Sequence, residues 1–213
     1  MKKVGIMGGT FDPIHIGHLI LGENAYQQLG LDRVVFMPSG NPPHKKDREG
    51  RASDEQRMDM VKLAIASNTH FKFSSMEMNE DGYSYTYLTL EKLNEKHPDT
   101  RYYFIIGADS LFDFKGWRNP QRICDACTLV VATRNHTSDE DLDKAIADVR
   151  ETFGADIVKL NTENIDVSSH QLRDWIVAGK TVKYYAPDEV INYIKSYHVY
   201  NGLADTVNIQ SDA

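Results

Sequence analysis

Val4-Gly5-Ile6-Met7, followed without a break by Gly8-Gly9-Thr10-Phe11-Asp12-Pro13-Ile14-His15-Ile16-Gly17-His18, is the stretch that decides the fold. The apolar run is short and bounded by glycine, the form of a buried strand. From Ile16 to Leu29 the spacing of Leu19, Ile20, Ala25 and Leu29 predicts a helix. Between them, Gly8 and Gly9 are expected to let the backbone turn tightly and bring amide N–H groups close to a bound group. Thr10 adds a hydroxyl donor and Pro13 stiffens the loop. His15 and His18 are three apart, the second at the start of the helix, so that they converge on one face.

The same alternation continues down the chain. Val34-Val35-Phe36-Met37, Phe71-Lys72-Phe73, Tyr102-Tyr103-Phe104-Ile105-Ile106, Leu129-Val130-Val131-Ala132 and Ile157-Val158-Lys159-Leu160 read as strands, the Tyr102 run most clearly because it has no polar alternation. Helices are expected over residues 54–67, where Ser53 and Gln56 make a capping box, over 87–97, stopped by Pro98, and over 138–153. Five or so strands separated by helices give an α/β fold, a mostly parallel sheet covered on both faces. A small C-terminal helical part follows over about 168–200, one helix capped by Ser168 or Ser169 and ended by Gly179, the other opened by Pro187. We expect one domain over residues 1–200, with 201–213 a polar, frayed tail. In such sheets ligands bind at the carboxyl ends of the strands, where chain order reverses. That selects the loops at 8–18, 38–51, 74–86, 107–118, 133–137 and 161–173.

Composition narrows the function classes. The 213 residues carry a net charge of −7, which argues against a nucleic-acid scaffold, although a local basic patch would still suit a small polyphosphate. No apolar stretch is long enough to span a membrane, and Lys2-Lys3 precede only Val4-Gly5-Ile6-Met7 before the glycine pair, too short for a signal peptide. The expected location is the cytoplasm. Cys124 and Cys127 form a C-x-x-C, open to a redox reading or, with His136 and His170, to half of a metal site; two small buried residues near a helix end are the reading adopted.

A histidine near a helix start is by itself more often structural than functional. Two of them at i and i+3 behind a glycine loop reverse that, because imidazoles donate hydrogen bonds to non-bridging phosphoryl oxygens as charge builds there, and the helix N-terminus adds its positive end. The segment has neither the G-x-G-x-x-G spacing of a dinucleotide fold nor the G-x-x-x-x-G-K-[ST] of a Walker loop. A metal-ligand reading of the pair lacks a carboxylate at matching local spacing, and no metal ligands are assigned.

GGTFDPIHIGH at 8–18 resembles the signature of the nucleotidylyltransferase superfamily with the H-x-G-H motif, and in this long form it resembles bacterial nicotinate-nucleotide adenylyltransferases. The resemblance covers roughly residues 3–195 and takes in PSGNPPHK at 38–45, GADSLFDFKGW at 107–117 and VSSHQLR at 167–173. It implies a Rossmann-like sheet and an adenylyl transfer from ATP, with Mg²⁺, to nicotinate mononucleotide in NAD biosynthesis, with a homodimer as the assembly. Nicotinamide mononucleotide and phosphopantetheine are the competing acceptors. A non-catalytic nucleotide-binding module is the competing class; it has no need of both histidines, Lys45 and Arg173.

The resemblance also distributes roles. His15, His18, Lys45 and Arg173 would act on the reacting phosphates. Gly8, Gly9, Thr10, Phe11, Gly107, Asp109, Arg134, Ser168 and Ser169 would bind ATP. Tyr85, Thr86, Phe112 and Trp117 would bind the acceptor, Trp117 by stacking on the pyridine ring. Each has a plainer alternative: Lys45 sits in a basic loop with His44, Lys46, Arg48 and Arg51, Ser169 suits an N-cap, Asp109 can cap a helix, and Trp117 can be core. The family pattern Ile-Ser-Ser-Thr-x-Ile-Arg becomes Val-Ser-Ser-His-Gln-Leu-Arg here, so His170 removes one expected hydroxyl. The tyrosines at 184, 185, 193, 197 and 200 suit either core packing or an interface.

Overall fold

A computed structural model describes residues 1–40, 50–78, 84–132, 138–162 and 165–200. Among them, β1 (Lys2–Gly9), β2 (Arg33–Pro38), β3 (Phe71–Phe73), β4 (Thr100–Gly107), β5 (Thr128–Ala132) and β6 (Ile157–Leu160) form one sheet in the order β3-β2-β1-β4-β5-β6. Every neighbouring pair is parallel. The connections are α1 (Ile16–Leu29), α2 (Asp54–Ile65), α3 (Thr86–Lys96), α4 (Ala108–Phe112), α5 (Pro120–Ala126) and α6 (Asp139–Phe153), with α7 (Ser169–Val177) and α8 (Asp188–Ser196) after the last strand.

The pleat of β4 shows why both faces are covered. Tyr102, Phe104 and Ile106 enter one core with residues of α3 to α6, while Tyr103 and Ile105 enter the other with residues of α1, α2, α7 and α8. Side chains alternate across a strand, so a run with no polar position needs a partner on each side. The Rossmann-like expectation is met, and the short Phe71–Phe73 run takes the edge as a sixth strand.

Capping chemistry sets several helix starts. Ser53 Oγ accepts the Gln56 N–H at 3.1 Å and Gln56 Oε1 accepts the Ser53 N–H at 2.8 Å, the capping box read from sequence. Ser138 and Ser168 are N-caps lying just outside α6 and α7, and Pro187 stands in the same place before α8. The sequence reading passed over α4 and α5, which at 5 and 7 residues are too short to show a helical period. Chain order runs outward from β1 to β3, then restarts at β4 beside β1 and runs the other way. The reversal between β1 and β4 opens a crevice at their carboxyl ends, between Gly9 and Gly107.

Candidate active site

Two concavities open at that crevice. The larger flank by the extent of its lining runs from the end of β2 past β1 and β4 to the segment before α7, and is lined among others by Ser39, Tyr85, Gly107, Trp117, Thr162 and Val167. The second, with the smaller lining, lies between the 9–12 loop and the N-terminus of α7. Gly9, Thr10, His15 and His18 line both, so the first loop is the wall they share.

The glycine pair does a different job from the one its sequence suggests. Gly8 and Gly9 remain in β1, and the left-handed backbone falls on Phe11, with φ 49°, ahead of a cis Asp12–Pro13 peptide. Their lack of a side chain is about packing: a Cβ on Gly9 would stand 3.2 Å from the Phe11 ring. Phe11, expected near ATP, lines the smaller concavity with its ring 2% exposed, edge-on to His18 at 5.0 Å and against Phe36. It therefore acts mainly as a floor for the histidine.

His15 is the N-cap residue of α1 and His18 stands one turn in. Their rings stack with centroids 3.7 Å apart and an interplanar angle of 27°. The His15 backbone N–H donates to His18 Nδ1 at 3.3 Å. A ring nitrogen that accepts cannot carry a proton, so the neutral His18 imidazole keeps its hydrogen on Nε2 and is a donor there. Gly17 between them is tightly enclosed; a Cβ would meet Val167 at 3.0 Å and the His15 ring at 3.2 Å. The spacing H-x-G-H is thus a packing requirement as well as a chemical one.

Ser168, Ser169 and Arg173 line the second concavity, and their polar atoms also tie α7 to the first loop. Ser168 Oγ accepts the Gln171 N–H at 3.1 Å, Ser169 Oγ donates to the Pro13 carbonyl at 2.8 Å, and an Arg173 Nη donates to the Asp12 carbonyl at 2.6 Å. His170 is exposed beside Arg173, with Nδ1 at 3.4 Å from its second Nη. The loop conformation and the cationic edge of α7 are therefore built together.

Tyr85, Thr86 and Trp117 line the larger flank, as do Gly107 and Asp109. Trp117 packs edge-on to Phe104, leaving part of the indole to the cleft. The Cβ position of Gly107 meets nothing within 4 Å, so the end of β4 faces open space. Phe112 departs from the expectation. It is 46% exposed and is not among the cleft residues, because α4 turns Ala108 and Leu111 inward and carries position 112 to the outside. Two groups escaped the sequence reading. Glu77 lines the cleft and accepts from Thr89 Oγ1 at 2.8 Å. Arg57, 4% exposed, reaches from α2 to the Thr10 carbonyl at 2.6 Å and the Ser39 carbonyl at 2.9 Å.

Lys45 and Arg134 lie outside the described residues, as do His44, Lys46, Arg48 and His136. Cys127 caps the end of α5 and its thiol donates to the Ile123 carbonyl at 3.3 Å; Cys124 is partly buried one turn earlier, and both are free. Burial pushes both thiols up, Cys124 to about 11, which keeps them protonated and unreactive. No helix among the described residues is long and apolar enough to cross a membrane.

Against known proteins, the family model of cytidylyltransferase-like proteins matches residues 6–175. A protein of Lachnoclostridium phytofermentans named "Probable nicotinate-nucleotide adenylyltransferase" is 40% identical over 200 residues, 94% of this chain and 100% of its own. A protein of the same name from Clostridium tetani is 41% identical with the same coverage. Among solved structures, Plasmodium falciparum nicotinic acid mononucleotide adenylyltransferase complexed with NaAD superposes with a TM-score of 0.76 at 21% identity, over 94% of this chain and 98% of that one.

Proposed function

The chain belongs to the nicotinate-nucleotide adenylyltransferase family of cytidylyltransferase-like proteins, and from that membership we infer that it transfers the adenylyl group of ATP to nicotinate mononucleotide. The products are nicotinate adenine dinucleotide and pyrophosphate. The observation that carries the reading is the shared wall: His15 and His18 stand where the cleft lined by Trp117 and the concavity lined by Arg173 meet, at the switch point of the sheet.

A 5′-phosphate oxygen of the acceptor attacks the α-phosphorus of ATP, and the bond from that phosphorus to the β-bridging oxygen breaks. The acceptor phosphate is already an anion at neutral pH, so no base has to activate it and no covalent enzyme intermediate is required. The protein has to align two anions and stabilise charge on the transferring group. His18 Nε2–H and His15 are the donors proposed for the α-phosphoryl oxygens. Arg173 and the N-terminus of α7, with Ser168 and Ser169, are assigned to the leaving pyrophosphate. Lys45 is assigned to the reacting phosphates, with Gly8, Gly9, Thr10, Gly107, Asp109 and Arg134 around ATP. Mg²⁺ would enter as part of MgATP, bound largely through the phosphates and supplying charge neutralisation there, with no protein ligand assigned to it. A homodimer belongs to the same proposal, supported by the Tyr184 and Tyr197 rings, 81% and 64% exposed, as apolar surface for a partner to cover.

The acceptor side rests on Tyr85, Thr86 and Trp117. Trp117→Ala is expected to raise KM for nicotinate mononucleotide about tenfold, the value of one stacked ring, while KM for ATP changes less than about twofold. Equal changes in both would remove Trp117 from the acceptor site. The whole reading is tested by incubating the protein with MgATP and, separately, nicotinate mononucleotide, nicotinamide mononucleotide or phosphopantetheine, and following pyrophosphate release. The acid is expected to be the preferred acceptor. Equal or better turnover with the amide overturns that choice, and no release with any acceptor leaves a nucleotide-binding module in place of an enzyme.

A further inference from the structure

Asp12 is a carboxylate 2% exposed at the floor of the second concavity, and three distant segments converge on it. Its Oδ1 accepts the Tyr200 hydroxyl at 2.8 Å and the Ala52 N–H at 3.1 Å. Its carbonyl accepts from an Arg173 Nη at 2.6 Å, while the same Nη stands 3.7 Å from Oδ2, too far for a hydrogen bond. Oδ1 is thus held by two neutral donors, while the buried Oδ2 has no hydrogen bond among the described residues and the Arg173 Nη as its neighbouring cation. The second Nη stands 3.4 Å from His170 Nδ1, at the edge of the concavity that both residues line, on a side chain 17% exposed.

Tyr200 reaches this place from 188 residues away, through a costly backbone. After α8 the chain turns back with Val199 N–H on the Ile194 carbonyl, and His198 and Tyr200 take left-handed φ values of 50° and 76°. Non-glycine residues held there carry backbone strain, which marks positions whose surroundings over-determine them. Tyr200 itself is only 6% exposed. Burial, then the adjacent Asp12 carboxylate, push its phenol well up, so it stays protonated and is the donor of the pair.

We infer that Tyr200 is a positioning residue for adenylyl transfer: its hydroxyl holds the Asp12 carboxylate so that Arg173 remains directed at the phosphates instead of collapsing into a full ion pair with Asp12. The inference rests on Arg173 being a phosphate contact, as proposed above. Without the hydroxyl, Oδ1 keeps a single donor in a buried site, and the guanidinium 3.7 Å from Oδ2 is the nearest replacement. Desolvated carboxylates leave few alternatives.

The experiment uses the full chain, with steady-state kinetics for MgATP and nicotinate mononucleotide beside a thermal melt. Tyr200→Phe is expected to raise KM for ATP about tenfold, the scale of one charged hydrogen bond, with KM for the acceptor unchanged within about twofold. Adding Asp12→Asn to it is expected to restore most of the ATP affinity, since a neutral amide oxygen no longer draws the guanidinium. The comparison of Asp12→Asn with the double variant reads the same coupling should Tyr200→Phe alone fold poorly; in that background the loss of the hydroxyl is expected to cost less than about twofold. Unchanged ATP kinetics in folded Tyr200→Phe, parallel changes in both KM values, or an undiminished effect in the Asp12→Asn background would each overturn the inference. Arg173→Ala in the same assay separates the two readings. If it leaves ATP binding intact, the assignment of Arg173 to the phosphates fails; if it weakens ATP binding and Tyr200→Phe does not, only the role of Tyr200 fails.

Discussion

His18→Ala is expected to lower turnover by about a hundredfold, corresponding to ~3 kcal/mol of lost stabilisation at the transferring phosphoryl group. The effect should fall on turnover more than on KM, because the charge that Nε2–H meets is greatest in the transition state. Stability is expected to change little. The variant loses a stacked contact with His15, an edge contact with Phe11 and the acceptor of the His15 N–H, a cost of about 1 kcal/mol, but Phe11 keeps its seat against Phe36, and α1 keeps its N-terminal residue His15. His18→Gln offers a finer check: an amide at this place presents a donor without titrating, and partial recovery relative to alanine is expected. Near-normal turnover in a folded His18→Ala protein, shown by steady-state kinetics beside a melt, would remove the histidine from the chemistry.

The sequence showed the sheet and the site region for different reasons. Uninterrupted β-favouring runs such as Tyr102–Ile106 report burial on two faces directly, and the loops they choose do contain Gly107, Trp117, Thr162 and Ser169 beside a cleft. Short-range features were less secure. The turn after β1 is made by Phe11 and not by the glycines, since a left-handed residue can be any type whose side chain the fold anchors well enough, and that anchoring comes from Phe36 and His18 in space. Phe112 and Trp117 sit five apart in one motif yet separate onto outer and inner surfaces, because the helical turn at 108–112 intervenes. Asp12, Arg57 and Tyr200 were the least legible. Their meaning lies in contacts between segments 18 to 188 residues apart, and no local pattern encodes those.

Arg57→Leu is the complementary experiment, with its largest effect on stability. The guanidinium is 4% exposed and gives one Nη to the Thr10 carbonyl at 2.6 Å and the other to the Ser39 carbonyl at 2.9 Å and to Asp54 at 2.8 Å. It therefore joins the loop after β1 to the loop after β2, beside a backbone bond from Ser39 N–H to the Gly9 carbonyl. Leucine fills part of the volume but leaves two inward carbonyls without these donors, each worth about 1–3 kcal/mol. Asp54 is 42% exposed and recovers water, so its lost ion pair adds little. A net loss of ~3 kcal/mol is expected, a drop in Tm of about 10 °C for a chain of this length. Arg57→Lys should fall between the two, since one ammonium cannot span both carbonyls with the geometry of a planar fork. A melt within about 2 °C of the parent protein would show that the loops hold each other without Arg57. Set beside His18→Ala, the pair separates two kinds of polar group at one site: a donor aimed at the substrate, whose loss is kinetic, and a donor aimed at the backbone, whose loss is thermal.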